Sequence, residues 1–225
     1  MTSQRTGWPR FDLKGLMTPA LVAGSLGLLL AVKFGHVELD FTEAVGFVTG
    51  GLCVWLLVSQ NIWNWPIGIA NNLVYGLIFF QARLYADMTI QIVFALISVY
   101  GWISWLRGNT MSDGFPVTRT PLGLALVCLA VGVAGTWAWS LFLARINDSA
   151  PFLDALTAVM SLIAQYLMTR KFLENWTIWI VVDIISVGLY ASRHLYLTAV
   201  LYAIYIAMCT VGAIEWKRSM RAARV

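Results

Sequence analysis

Apolar residues dominate eight stretches of the chain, near 18–35, 42–59, 62–81, 85–106, 121–143, 152–169, 174–192 and 195–216, with short polar or basic breaks between them. Each approaches the roughly 20 residues an α-helix needs to cross a hydrocarbon core, so the pattern predicts eight transmembrane helices. The pattern also repeats. Residues 41–105 align with 152–216 without a gap at an offset of 111, placing Asn64 on Asn175, Trp65 on Trp176, Gly101 on Gly212 and Trp105 on Trp216. Each copy carries three spans, an odd number, and the extra span at 121–143 restores the orientation of the second copy. The expected fold is an all-α integral membrane protein with a 3+1+3 core, its parallel halves related by an axis along the membrane normal. Residues 1–40 form a tail and an extra N-terminal span, 41–106 the first repeat, 107–151 a linker and connecting span, 152–216 the second repeat, and 217–225 a basic tail. The polar, turn-rich run 107–121 reads as a hinge between halves.

Polar residues inside these stretches mark the candidate chemistry. In the second copy Trp176, Trp179, Asp183, Ser186 and Tyr190 are spaced 3, 4, 3 and 4, which puts them on one helical face; such a stripe extends over about 21 Å of rise. The first copy answers with Trp65, Gly68, Asn72, Tyr75 and Phe79. Two such faces would line a path between the halves. Asp183 is the sharpest of these residues, because a carboxylate in mid-span costs about 2.5–3.5 kcal/mol on insertion scales and needs a partner, a proton or water. It either acts as structural glue between helices or meets a ligand. Asn71 and Asn72 cannot both face the path; Asn72, the counterpart of Asp183, is assigned to it and Asn71 to a neighbouring helix. Gln91 and Tyr202 occupy equivalent positions in the third spans and either contact a ligand or brace the bundle. Gln165 matches Val54, so polarity there is asymmetric, as a single asymmetric ligand requires. The candidate set is Trp65, Asn72, Tyr75, Gln91, Gln165, Trp176, Trp179, Asp183, Ser186 and Tyr202.

The other conspicuous residues carry structural expectations. Trp105 and Trp216, at span ends, are assigned to the interfacial belt, and Trp55, Trp63, Trp102, Trp137 and Trp139 to packing or the belt. Gly46 and Gly50, mirrored by Thr157 and Ser161, point to close helix approach. Cys53, Cys128 and Cys209 lie singly in apolar stretches and read as packing residues.

Composition confirms the solvent: a chain of 225 residues that is 60% hydrophobic and 12% charged cannot hide its apolar surface in one soluble core. The net charge of +4 does not indicate nucleic acid. With loops assigned alternately to two sides, Arg5, Arg10, Lys14, Arg107, Arg119, Arg170, Lys171, Lys217, Arg218, Arg221 and Arg224 share one side, and only Lys33, Arg83, Arg145 and Arg193 fall opposite. The positive-inside rule places both termini in the cytoplasm. The first span lacks a small-residue cleavage site and is read as retained. No phosphate loop, Ser-His-Asp set or metal-ligand cluster occurs, so no cofactor is implied. A membrane enzyme would have to use Asp87 or Asp154; a channel or sensor is the remaining class.

The runs F-F-Q-x-x-L-Y-A at 79–86, Y-G-W-x-x-W at 100–105 and M-T-R-K-x-x-E-N-W-x-x-W at 168–179 resemble the PnuC family of bacterial vitamin transporters, over about residues 41–218. The resemblance implies a fold related to the SWEET sugar transporters, a homotrimer in the inner membrane, and facilitated diffusion of an unphosphorylated vitamin, nicotinamide riboside above thiamine, riboflavin or a nucleoside. It implies trapping by a cytoplasmic kinase, and it places Trp176 and Trp179 in the substrate site. Asp183 departs from the pattern, standing where some carriers of the family have Asn.

Overall fold

The computed structural model describes residues 23–24, 26–27, 30, 33–34, 41–81, 83, 85–109, 115–146, 149–194 and 196–223. Seven long helices occupy the chain from Phe41 onwards: α1 (Phe41–Val58), α2 (Asn64–Gln81), α3 (Tyr85–Asn109), α4 (Leu122–Arg145), α5 (Pro151–Thr169), α6 (Asn175–Ser192) and α7 (Tyr196–Ala222). Two compact units share the chain, Met1–Val48 and Thr49–Val225. In the first, most of the described residues between 23 and 34 are helical, as is the opening of α1; the rest of the expected N-terminal span lies outside the described residues. Everything below concerns the second unit.

Among the described residues, five stretches are long and apolar enough to cross a membrane: Tyr85–Gly108, Leu122–Arg145, Pro151–Thr169, Asn175–Ser192 and Thr198–Ala222. The sequence pattern predicts eight spans. The described part of α1 adds the apolar run Val48–Val58, and α2 stays out of the group because Asn64, Pro66, Asn71 and Asn72 dilute its hydropathy. The residues that single out α2 as a candidate site are those that weaken it as a membrane span.

Local chemistry fixes the helix ends. Pro151 opens α5, where its missing N–H costs nothing. Among the described residues, Gln60 (52°), Arg83 (63°), Lys171 (52°) and His194 (60°) are non-glycine residues with positive φ, each ending a helix in the left-handed conformation. They form two pairs separated by 111 residues. Helices α2 and α6 have bounds with the same offset, and the first turns agree too: Asn64 Nδ2 donates to the Asn61 carbonyl at 2.7 Å, as Asn175 Nδ2 does to the Phe172 carbonyl at 2.6 Å.

Helix α2 packs on α3 and α6 on α7, while α5 packs on α3, α4 and α6 and so joins the elements of both sequence copies. Helix α4 presents Leu122, Leu129, Val133 and Trp137 outward, all more than half exposed, as a lipid-facing surface requires. The C-terminal basic segment is helical up to Ala222, with Met220 buried. The linker is tied down at its far end: Thr118 forms a bridge with Phe172, accepting from Leu173 N–H at 2.9 Å while its own N–H donates to the Lys171 carbonyl at 3.1 Å. Glu174 then receives the Thr120 N–H and hydroxyl, both at 2.8 Å, and Arg119 at 3.3 Å. Burial alone would raise the Glu174 carboxyl above its usual range, but those donors bring it below.

Trp105 and Trp216 are not belt residues. They are 1% and 0% exposed, and with Trp65 and Trp176 they form a continuous buried chain of rings. Trp65 meets Trp105 edge-on at 5.4 Å and 85°, Trp176 meets Trp216 at 5.4 Å and 89°, and Trp105 and Trp216 join the two pairs at 6.3 Å. Edge-to-face contact between large rings gains more from this burial than an interfacial position offers. Trp63, Trp102 and Trp137 remain exposed, as belt or lipid contact requires.

Candidate functional site

Asp183 sits on α6 at 3% exposure, and its nearest polar contact is the Cys209 thiol of α7, which donates to Oδ2 at 3.6 Å. Among the described residues no cationic side chain pairs with it. A buried carboxylate facing one weak donor is the costliest group in this unit, since charge away from water must be balanced or neutralised. Cys209, read from sequence as packing, is therefore part of the carboxylate's environment. Ser186, one turn further along α6, is also buried, and Trp179, one turn before it, is half-buried.

Aromatic rings close in from α7. Tyr202 stacks on Tyr190 of α6 at 5.2 Å and 20°, and meets Tyr205 edge-on at 5.9 Å. Tyr202 and Tyr205 both lie within electrostatic reach of Asp183, and Tyr205 also of Tyr75 on α2. Tyr75 pairs with Phe79 at 6.0 Å. The structure thus brings together four of the expected positions, Asp183, Ser186, Tyr202 and Tyr75, and adds Tyr190, Tyr205 and Cys209. Tyr205 is legible in the sequence as sharing a face of the third span with Thr198, Tyr202 and Cys209, the four being the counterparts of Asp87, Gln91, Phe94 and Ser98.

The remaining candidates make contacts of their own. Gln165 is buried and donates to Ser98 Oγ at 3.0 Å, linking α5 to α3. Asn71 donates to Thr49 Oγ1 at 2.8 Å, leaving Asn72, half-buried, as the residue turned another way. Gln91 packs its Cβ 3.7 Å from where a side chain at Gly76 would begin. Trp65 and Trp176 are seated against glycines: a Cβ on Gly101 would lie 2.4–2.7 Å from the Trp65 ring, and one on Gly212 2.5–2.6 Å from the Trp176 ring. Each is a ring locked into its own half, with its indole N–H buried and without a hydrogen-bond acceptor.

Beside the tryptophan chain, the nearly buried Lys171 holds its ammonium 4.4 Å above the Trp105 ring and 5.3 Å from Phe115, and donates to Gln60 Oε1 at 3.3 Å. Burial pushes this amine down to about 8. Asp154, one of the two acids open to an enzymatic reading, is engaged by Arg193 at 3.0 Å. A groove of about 710 Å³ between α4 and α5 is lined by Leu129, Val133, Trp137, Phe152 and Met160; it is apolar and Asp183 does not line it.

Comparison with known proteins agrees with a transporter. The family model described as nicotinamide mononucleotide transporter matches residues 40–218. The nicotinamide riboside transporter PnuC of Escherichia coli is 32% identical over 218 residues, covering 85% of this chain and 91% of that protein. The riboflavin/roseoflavin transporter RibM of Streptomyces davaonensis is 27% identical over 190 residues, covering 82% and 88%. A solved structure, that of the vitamin B3 transporter PnuC, superposes with a TM-score of 0.73 at 24% identity, over 96% of this chain and 94% of that one, a likeness of fold.

Proposed function

This chain belongs to the nicotinamide mononucleotide transporter family, and from that membership we propose that it imports nicotinamide riboside by facilitated diffusion with alternating access. The observation that supports this substrate is the buried carboxylate of Asp183 with no cationic partner among the described residues. A pyridinium cation supplies the missing charge, and rings such as Tyr190, Tyr202 and Trp179 offer it flat faces; cation–π contact adds about 0.5–2 kcal/mol. The same carboxylate decides between the riboside and its phosphorylated form. A phosphate would bring negative charge towards Asp183 without a lysine or arginine beside it, whereas the riboside brings only the cation.

The architecture we assign is a 3+1+3 core of two parallel three-helix units with one further N-terminal span, supported by the matching helix bounds and dihedral angles at offset 111. The halves rock about the Asp183 cluster, both termini face the cytoplasm, the protein is a homotrimer of the inner membrane, and a cytoplasmic kinase traps the vitamin. Liposomes holding the purified protein are expected to equilibrate labelled nicotinamide riboside without ATP or an ion gradient. Accumulation driven by a proton gradient would overturn the passive mechanism and make Asp183 a proton site. Asp183→Asn, which keeps the shape and removes the charge, should weaken binding at least tenfold, about 1.4 kcal/mol or more.

A flavin is the second reading, favoured by the stacked Tyr190–Tyr202 pair and by the riboflavin carrier among the relatives. Riboflavin is uncharged, so its binding would survive Asp183→Asn.

A further inference from the structure

The Tyr205 hydroxyl lies against residue 50, where a Cβ on Gly50 would come within 2.8 Å of Tyr205 Oη. A methyl group cannot hydrogen-bond and does not tolerate an oxygen at that distance, so a side chain at residue 50 would displace the tip of the Tyr205 ring. Gly50 belongs to α1 and Tyr205 to α7, and Tyr205 is also within electrostatic reach of Cys53 on α1, Tyr75 on α2, Asp183 on α6 and Cys209 on its own helix.

The other sequence copy builds this pair differently. At the offset of 111, Phe94 stands for Tyr205 and Ser161 for Gly50. Phenylalanine with serine and tyrosine with glycine each place one ring and one oxygen, the serine pair with one carbon more, its Cβ. That carbon is the only difference in what must be packed. What changes is the helix that carries the oxygen, and it moves to the ring tip in the half that holds Asp183.

We propose that the Tyr205 hydroxyl is a specificity-determining group, which hydrogen-bonds a neutral polar group, hydroxyl or carboxamide, on the cation whose charge Asp183 balances. The proposal rests on the reading of the Asp183 cluster as the substrate site. A hydroxyl placed for such a bond discriminates against ligands that leave it unpaired.

Four variants of the full chain in detergent test it by calorimetric titration with nicotinamide riboside and by thermal unfolding: Asp183→Asn, Tyr205→Phe, Gly50→Ser and the double variant Gly50→Ser/Tyr205→Phe. Tyr205→Phe should bind about tenfold more weakly with an unchanged unfolding midpoint. Gly50→Ser should lower the midpoint, and the double variant, which reproduces the Phe94/Ser161 pairing, should recover the midpoint while keeping the tenfold loss. Parental affinity in Tyr205→Phe or in the double variant overturns the proposal, leaving the pair a packing device. If Asp183→Asn binds as the parent does, the site itself is misplaced; if it binds weakly while the Tyr205 variants do not, only the role of Tyr205 fails. Titration with 1-methylnicotinamide, which keeps the charged ring and carboxamide but has no ribose, separates the two ligand groups: a Tyr205→Phe loss seen with both ligands assigns the carboxamide, and one seen with the riboside alone assigns a ribose hydroxyl.

Discussion

Lys171 shows most clearly what a single residue is made to do here. It occupies the left-handed conformation that glycine adopts at least cost, yet it is a lysine whose ammonium is buried against Trp105 and Gln60. Because burial lowers its amine to about 8, against about 10.4 in the unfolded chain, the unfolded state holds more protons between those values. Stability then rises with pH across that window, the cost of the buried charge being fully present below pH 8. The thermal midpoint of the parent should climb between about pH 8 and 10 relative to Lys171→Met; parallel curves would show that Lys171 keeps its ordinary affinity for protons. Asp183 was readable from sequence because one carboxylate in an apolar run is conspicuous. Lys171 was read as one more basic residue in a loop, since nothing along the chain announces that Gln60 and Trp105 fold over it.

At the scale of elements, the third helix of each copy is held to the second by a ring in a notch. Trp65 fills the space that Gly101 leaves on α3, and Trp176 the space that Gly212 leaves on α7. The sequence showed these four positions as two aligned pairs, and the spacing of Trp176, Trp179 and Asp183 drew Trp176 towards the ligand. Helical periodicity reports which side chains share a face, whereas what that face meets depends on the neighbouring helix. The Trp176 end of the stripe meets a glycine and the Asp183 end meets a thiol and tyrosines. Gly212→Ala should cost about 1–3 kcal/mol by overpacking, read as a lower unfolding midpoint, and Trp176→Phe should recover part of it by shrinking the ring. An unchanged midpoint in Gly212→Ala would mean that the Trp176 ring is free to move.

On the scale of the whole molecule, the offset of 111 made the division into like parts legible, but equivalence in sequence says nothing of adjacency. The linker illustrates this: its composition reads as a hinge, while Thr118, Thr120 and Arg119 fasten its end to the loop before α6. Two contacts are of a special kind, Trp105 with Trp216 and Gln60 with Lys171, because each joins a residue to its own counterpart. Gln60→Lys would set two ammonium groups against each other and should cost about 1–3 kcal/mol, lessened at high salt. Lys171→Gln, which pairs two amides, should be no less stable than the parent. Equal tolerance of both changes would remove the contact from the account. The same asymmetry bears on how such a chain arose. In a dimer of one three-helix unit, a gene with lysine at this place would confront that lysine with itself, whereas an amide can pair with its twin. Joining the units in one polypeptide lets the two sides of a self-contact diverge, and a buried cation could enter only after that duplication.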